Sequence, residues 1–324
     1  MAGAHRTDAD DHARLGRDPS VIVVCGEALI DIIQNGDGSQ RAAPGGGPFN
    51  TARALARLGV PTAFLGHLSE DKFGRELSDL LVADGASLEL ATVGPEPTTI
   101  AVADVDSQGF AEYQFLVKGT SAPNLTMEML PAEFARDVSA LHVGTLGLVL
   151  EPMASTIVEL VQRERDGRLI MLDPNIRIGL TDDFDYRDRL NTLISASTIV
   201  KASDSDLAWI HADCDYTEAA DRILGEGVRM VVVTLGADGA FGAHRDLRIR
   251  VAAPPVEVVD TIGAGDAFGA GLLAWLYDHD LIRPELSLDE DELRSALAYA
   301  CLAASLTCAR GGADPPWKPE MAEV

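Results

Sequence analysis

An α/β fold is predicted, with a mostly parallel central sheet flanked by helices and a small β-sheet lid. Three features of the chain carry this expectation. Short apolar runs rich in β-branched residues, such as residues 21–26 and 230–234, alternate with stretches of helical periodicity, as strands buried on both faces of a parallel sheet do. A hairpin pattern between residues 98 and 117 interrupts the alternation. Near the C-terminus a strand-like run, a glycine turn and an apolar helix follow one another directly over residues 256–276.

Taken in order, residues 1–20 are polar, mixed in charge and lack an apolar segment. They read as a disordered tail and not as a signal peptide. The folded domain is expected over residues 21–324. Its first strand, 21–26, runs into 27–33, where Asp31 interrupts an apolar run. A lone carboxylate there needs partners unless it is exposed at a strand end. Residues 34–43 suit a turn between short strands. Gly45, Gly46 and Gly47 then lead into a helix with apolar residues at Ala52, Leu55, Ala56 and Leu58, closed by Gly59. Asn50 offers a donor and an acceptor near the start of that helix. A second buried strand is expected at 62–66 and a helix at 69–83.

The hairpin pairs residues 99–106 with 111–117 around 107–110. Inserted into a βα series, it has to lie off the main sheet, where with residues 32–43 it would form the lid; an edge hairpin of the main sheet is the alternative. Strands then resume at 140–144, 169–172, 197–201 and 230–234, with a helix at 152–163. Asp238-Gly239 signals a hairpin, and a buried helix at 291–307 closes the domain.

Bulk properties narrow the function. The formal net charge of −25 argues against nucleic acid, whose phosphates need a basic face. No apolar run is long enough to cross a bilayer, so a cytoplasmic protein is expected. Cys25, Cys214, Cys301 and Cys308 form no C-x-x-C pair and the seven histidines no H-x-x-x-H, which disfavours structural zinc and disulfides.

The glycine turn in Asp260-Thr261-Ile262-Gly263-Ala264-Gly265-Asp266 points to an anion site, because the orphan N–H groups of a first helical turn face whatever occupies the loop. Asp266 sets it apart from a plain phosphate cradle. A carboxylate there would repel a phosphate, unless it holds a cation or takes a proton from a group attacking that phosphate. An ordinary N-cap aspartate is the simpler reading. A Walker A loop is excluded, since Gly-Lys-Ser/Thr occurs nowhere in the chain. A dinucleotide fingerprint fails because the third glycine, Gly269, comes one place late and no second strand follows.

Asp-Thr-x-Gly-Ala-Gly-Asp-x-Phe at 260–268 resembles the C-terminal signature of the PfkB (ribokinase-like) carbohydrate kinases. The glycines with Asn50 and Ala-x-x-Leu-x-x-Leu-Gly resemble the family's N-terminal pattern. Asp-Pro-Asn-x-Arg at 173–177, Lys-x-Ser-Asp-x-Asp-Leu at 201–207 and the ending Thr-Cys-x-Arg-x-Gly-Ala-x-Pro-Pro are most similar to bacterial fructokinases. The resemblance runs over roughly residues 20 to 316 with the motifs in order, which is harder to match by chance than one motif.

It implies a ribokinase-like fold and an ATP- and Mg²⁺-dependent sugar kinase, with K⁺ as a further cofactor if the family's dependence carries over. Asp266 would be the base on a primary hydroxyl, and Asp31, Asn50 and the backbone of Gly45, Gly46 and Gly47 would hold the sugar. The N–H groups of Gly263, Ala264 and Gly265, with Arg177, would meet the charge on the transferring group. Asn175, Ser203, Thr234, Gly236 and Gly239 would line the nucleotide, together with Gly263 and Gly265. Many relatives carry Asn-x-x-Glu where this chain has Ser203 and Asp206. Asp206 would order Mg²⁺ through water, or the pair would only cap a helix. Asp260 and nearby carbonyls would bind a monovalent cation. Fructose, phosphorylated at its 6-hydroxyl, is the first substrate implied; ribose, 2-keto-3-deoxygluconate, nucleosides and a catalytically silent sugar-binding relative are the alternatives. Lid residues Tyr113 and Phe115 would set the choice or merely pack the lid, and a lid with an apolar outer face would suggest a homodimer.

Overall fold

A computed structural model describes residues 20–34, 40–105, 111–177, 179 and 184–322. The tail at 1–19, much of the turn expected over 34–43, and the hairpin turn at 107–110 fall outside the described residues, as does the side chain of Tyr113. The main sheet has eight strands in the order β14-β13-β12-β11-β10-β9-β1-β4. These are β1 (Val21–Cys25), β4 (Thr62–Leu65), β9 (Val138–Gly144), β10 (Leu169–Asp173), β11 (Ile199–Ser203), β12 (Met230–Thr234), β13 (Ala240–His244) and β14 (Leu247–Val251). The first six pair in parallel and the last two add an antiparallel edge. A four-stranded second sheet, ordered β3-β2-β7-β8, comprises β2 (Leu29–Gln34), β3 (Gln40–Gly45), β7 (Ile100–Val105) and β8 (Ala111–Leu116). Because β7 pairs in parallel with β2, the inserted hairpin lies off the main sheet. A two-stranded ladder, β5 (His67–Ser69) with β6 (Thr92–Gly94), was not anticipated from the sequence.

Helices cover both faces of the main sheet. One core joins it to α1 (Gly47–Arg57), α2 (Lys72–Asp84), α7 (Ala264–Asp278) and α8 (Glu290–Cys308). The other joins it to α3 (Met153–Glu164), α4 (Phe184–Ser195), α5 (Asp204–Ile210) and α6 (Tyr216–Gly225). Burial on both sides explains why strands such as Met230–Thr234 read as continuous apolar runs. It also explains why α7, sandwiched between sheet and α8, is apolar all round, with every residue from 266 to 276 buried. The chain leaves β1 for β4 on one side and returns to β9 on the other. The order therefore reverses beside β1, and ligands in open α/β sheets bind at such a switch point, beyond the strands' carboxyl ends.

Two expectations are corrected. The run 256–259 is not a strand: Val258 and Val259 are 61% and 64% exposed, and the amides of Val259 and Asp260 bond to the Cys308 carbonyl at the end of α8. Pro254 and Pro255 lack the N–H donors that a ladder needs, so α8, not the sheet, positions the glycine turn. The helix expected from residue 69 begins at Lys72, because Asp71 caps it by accepting from Gly74 N at 2.8 Å, and residues 67–69 are spent on β5.

Candidate active site

The site is built from the end of β1 outward. Glu27 follows β1, is fully buried, and accepts hydrogen bonds from Gly47 N (3.1 Å) and Gly147 N (3.0 Å). It thereby ties the start of α1 to the segment after β9, across the switch point. Burial pushes its carboxyl up to about 8, against the pull of those amides. Reasoning from sequence did not single out Glu27. Its only signal was a carboxylate directly after a buried strand.

At the other end of the chain Gly263 caps α7 in the left-handed region, with φ 77°. A Cβ there would sit 2.6 Å from that of Ala313, so only glycine fits both the turn and the approach. The carboxylate of Asp260 accepts from Ile262 N (3.0 Å) and Gly312 N (2.8 Å). This pins the turn, where a monovalent cation is expected, to the 310–316 segment. Ala264 N closes the turn on Thr261 O at 3.3 Å. Gly265 and Asp266 complete the first turn of α7, where N–H groups lack carbonyl partners one turn back.

Asp266 is buried, and Asn50 Nδ2 donates to its Oδ2 at 2.8 Å. Burial lifts its carboxyl to about 6; the Asn50 hydrogen bond opposes this, the charge of Asp173 adds to it, and Lys201 and Arg177 pull back. A Cβ on Gly47 would lie 2.3 Å from Thr145 Oγ1 and 3.4 Å from Asp266 Oδ1, so the first residue of α1 is glycine because two side chains occupy that space. Thr145 is a second group the sequence did not flag. It is β-branched and buried, with φ 58°, a conformation that costs energy and persists where the surroundings impose it.

Asp31, on β2, faces the other end of the same glycine run: a Cβ on Gly45 would meet its Oδ2 at 2.0 Å. Between them Gly46 caps α1 with φ 107°. The two carboxylates and Asn50 thus line one stretch of backbone. Asp31 too is raised to about 6 by burial, moderated by the charge of Arg177. Arg177 is exposed, in the loop after β10, and its charge acts on Asp31, Asp173 and Asp266 alike.

The remaining candidates lie along neighbouring strand ends. Asn175 follows β10 in the left-handed region, φ 39°. Ser203 and Thr234 are register partners at the ends of β11 and β12. Gly236 and Gly239, φ 57° and 93°, flank the short turn that sends β12 back into β13. Ser203 and Asp206 form a reciprocal capping box on α5, and Asp206 Oδ1 also accepts from Ile176 N at 2.8 Å. Among the described residues no three His, Cys, Asp or Glu side chains gather as a metal cluster. A Mg²⁺ held mainly by nucleotide phosphates and water needs no such cluster. The opening turn of α7 suits phosphate, since it combines first-turn amides, the positive end of the helix and a nearby arginine.

A family model described as pfkB family carbohydrate kinase matches residues 20–320. A fructokinase of Rhizobium leguminosarum bv. trifolii is 40% identical over 282 residues, covering 85% of this chain and 86% of that protein. The crystal structure of a Vibrio cholerae fructokinase with fructose, ADP and a calcium ion superposes with a TM-score of 0.80 at 26% identity, covering 91% of this chain and 94% of the other. A double mutant of that enzyme with fructose, ADP and a potassium ion gives 0.80 at 26% identity, over 92% and 95%. Among the described residues no helix is long and apolar enough to cross a membrane.

Proposed function

The chain belongs to the pfkB family of carbohydrate kinases, and from that premise we propose that it transfers the terminal phosphoryl group of ATP to fructose, forming fructose 6-phosphate. One observation carries the reading: a buried carboxylate, Asp266, is held by Asn50 inside the opening turn of a helix suited to phosphate. In this reading Asp31, Asn50 and the backbone of Gly45, Gly46 and Gly47 hold the sugar. Asn50 Oδ1 is buried with no partner among the described residues and would accept from a sugar hydroxyl, since an unpaired buried acceptor is costly. Asp266 receives the proton of the primary hydroxyl as its oxygen bonds to phosphorus and the bond to the ADP oxygen breaks. A carboxylate is a weak base, but a loose transition state asks for proton removal late, and positioning does most of the rest.

Arg177 and the N–H groups of Gly263, Ala264 and Gly265 meet charge on the transferring group. Asn175, Ser203, Thr234, Gly236 and Gly239 line the nucleotide. Asp206 would hold, through water, the Mg²⁺ that comes with ATP and would supply neutralisation of phosphate charge. Asp260 and the carbonyls around it would take K⁺. A cytoplasmic homodimer, joined through the small sheet acting as a lid, completes the proposal; Leu116 on edge strand β8 is 56% exposed, and light scattering tests the dimer.

The deciding experiment follows ATP consumption with fructose, ribose, 2-keto-3-deoxygluconate and a nucleoside, with the product's phosphate located by NMR. Fructose should give the highest kcat/KM and a 6-phosphate. ADP release with another acceptor at higher kcat/KM would reassign the substrate. Sugar binding without ADP release would make the chain a silent sugar binder.

A further inference from the structure

Beneath the opening turn of α7 lies an ion pair that the roles above do not use. The parallel register Leu172↔Val200 places Asp173 and Lys201 side by side on β10 and β11. Both face α7, as their strand neighbours Met171 and Ile199 do, which belong to the core on that side. Lys201 Nζ donates to Asp173 Oδ2 at 2.6 Å, with the side chains only 6% and 3% exposed.

Removing two charges from water is expensive, and apolar residues of similar volume often stabilise a fold as well or better. Stability therefore gives little reason for the pair, but its place in the fold does. Lys201 Nζ lies 3.2 Å from where a Cβ on Gly265 would stand. The missing side chain lets the ammonium reach the first turn of the helix that carries Asp266. On β9, with β10 between them, His142 is held neutral: burial and the Lys201 charge push its pKa down to about 3. Lys201 itself stays charged, because Asp173, then Asp266 and Asp206, outweigh the cost of burial. The charge of Lys201 favours the ionised form of Asp266.

We propose that Lys201, anchored by Asp173, is a positioning residue for phosphoryl transfer, supplying fixed positive charge under the turn where the Asp266 carboxylate and the transferring phosphoryl group meet. This rests on Asp266 being the base. A fixed cation in a dry site acts more strongly than one in water and needs no reorganisation during the reaction. The groups facing Asp266 are Asn50 from α1, Glu27 after β1, Asp173 from β10, Arg177 from the loop beyond it, and Lys201 from β11. Of the two cations among them, Arg177 is exposed and Lys201 is buried.

The test compares wild type with Lys201→Arg, Lys201→Met and the double variant Asp173→Leu/Lys201→Met. The double variant removes both charges together, so no unpaired carboxylate is left to unfold the protein. With fructose and ATP, the double variant should melt near wild type and keep its fructose KM within about threefold. Its kcat should fall about tenfold or more with the acidic limb of the pH–rate profile little moved, because the charges of Asp173 and Lys201 act on Asp266 in opposite directions; the limb should move up in Lys201→Met, which removes the cation alone. Lys201→Arg, which keeps the charge, should restore the limb. A folded double variant with wild-type kcat would overturn the proposal. So would a kcat loss that tracks a lowered melting point together with an unmoved limb in folded Lys201→Met, since that marks a merely structural pair. If the double variant does not fold, the contrast between Lys201→Met and Lys201→Arg decides: a limb moved up in folded Lys201→Met and kept in Lys201→Arg supports the role, and the same limb in both refutes it. Asp266→Ala run in parallel separates the two readings, because turnover surviving in that variant removes the base assignment whatever Lys201 does.

Discussion

Asp31 and Asp266 are both aspartates that burial raises to about 6, yet the fold holds them in opposite ways. Asp266 stands on the first turn of a helix packed into the main core and is fixed by Asn50. Asp31 stands on a strand of the small sheet, and the charge of Arg177 acts on it. The difference fits the two tasks proposed for them. A group that must meet a reacting atom is oriented by its own chain before the ligand arrives. A group that grips a ligand keeps its lone pairs free for that ligand's hydroxyls.

The contrast is broken most severely at Asp266. Asp266→Ala should lower kcat by about two to four orders of magnitude while fructose affinity, measured by calorimetry, stays within a few-fold. Near-normal turnover in purified, folded protein would remove the base assignment. Asp31→Ala should do the reverse: loss of charge-assisted hydrogen bonds worth about 1.5–3 kcal/mol raises the fructose KM roughly tenfold to a hundredfold, with kcat changed far less. A comparable fall in kcat would mean that the two aspartates act as one unit.

The pH dependence sharpens the same comparison. On the proposed roles both carboxylates must be ionised, and burial raises both to about 6. In the free enzyme kcat/KM for fructose should therefore fall on the acid side of about pH 6 with a slope approaching two, and Asp31→Asn should reduce it to one. Stability moves the other way. A carboxyl whose folded pKa lies above its ordinary value stabilises the fold at low pH, and that contribution is lost as pH rises through about 6. Asp266→Asn, which has no such charge, should stabilise the protein at pH 7 by an amount on the order of 1–3 kcal/mol, read by urea unfolding. Unchanged or lowered stability would show that Asp266 is not held against its solvation.

How much of this was legible in the sequence depended on how local each signal was. The strands buried on both faces announced themselves because sandwiching by helices demands continuous apolar runs, as in Met230–Thr234. The α7 turn was legible because left-handed backbone at Gly263 and close packing at Gly265 leave glycine as their trace. Val256, Val258 and Val259 misled, since β-branched composition reports a preference that only a paired neighbour can satisfy. Glu27, Thr145 and Lys201 were not singled out for a different reason. Each owes its place to partners far along the chain: Gly147 for Glu27, Gly47 for Thr145, Asp173 for Lys201. No spacing in the sequence encodes those meetings.

The smallest effect concerns the nucleotide side, where the same question of orientation against ligand contact recurs at Ser203 and Asp206. Ser203 Oγ accepts from Asp206 N at 3.0 Å, while Asp206 accepts from Ser203 N, Ser203 Oγ and Ile176 N. A carboxylate offers about four lone-pair sites, so these three bonds leave room for a water on Asp206, whereas Ser203 is a capping residue first. Ser203→Ala should therefore cost about 1 kcal/mol and lower the melting point by roughly 2–4 °C. Its Mg²⁺ requirement should stay within about twofold, because the carboxylate that would order the metal's water is still present. Asp206→Asn, with half the acceptor capacity and no charge, should raise the Mg²⁺ concentration for half-maximal rate by roughly tenfold. If Asp206→Asn shifted only the melting point, the capping box would account for both residues, and the metal would be held without this side of the sheet.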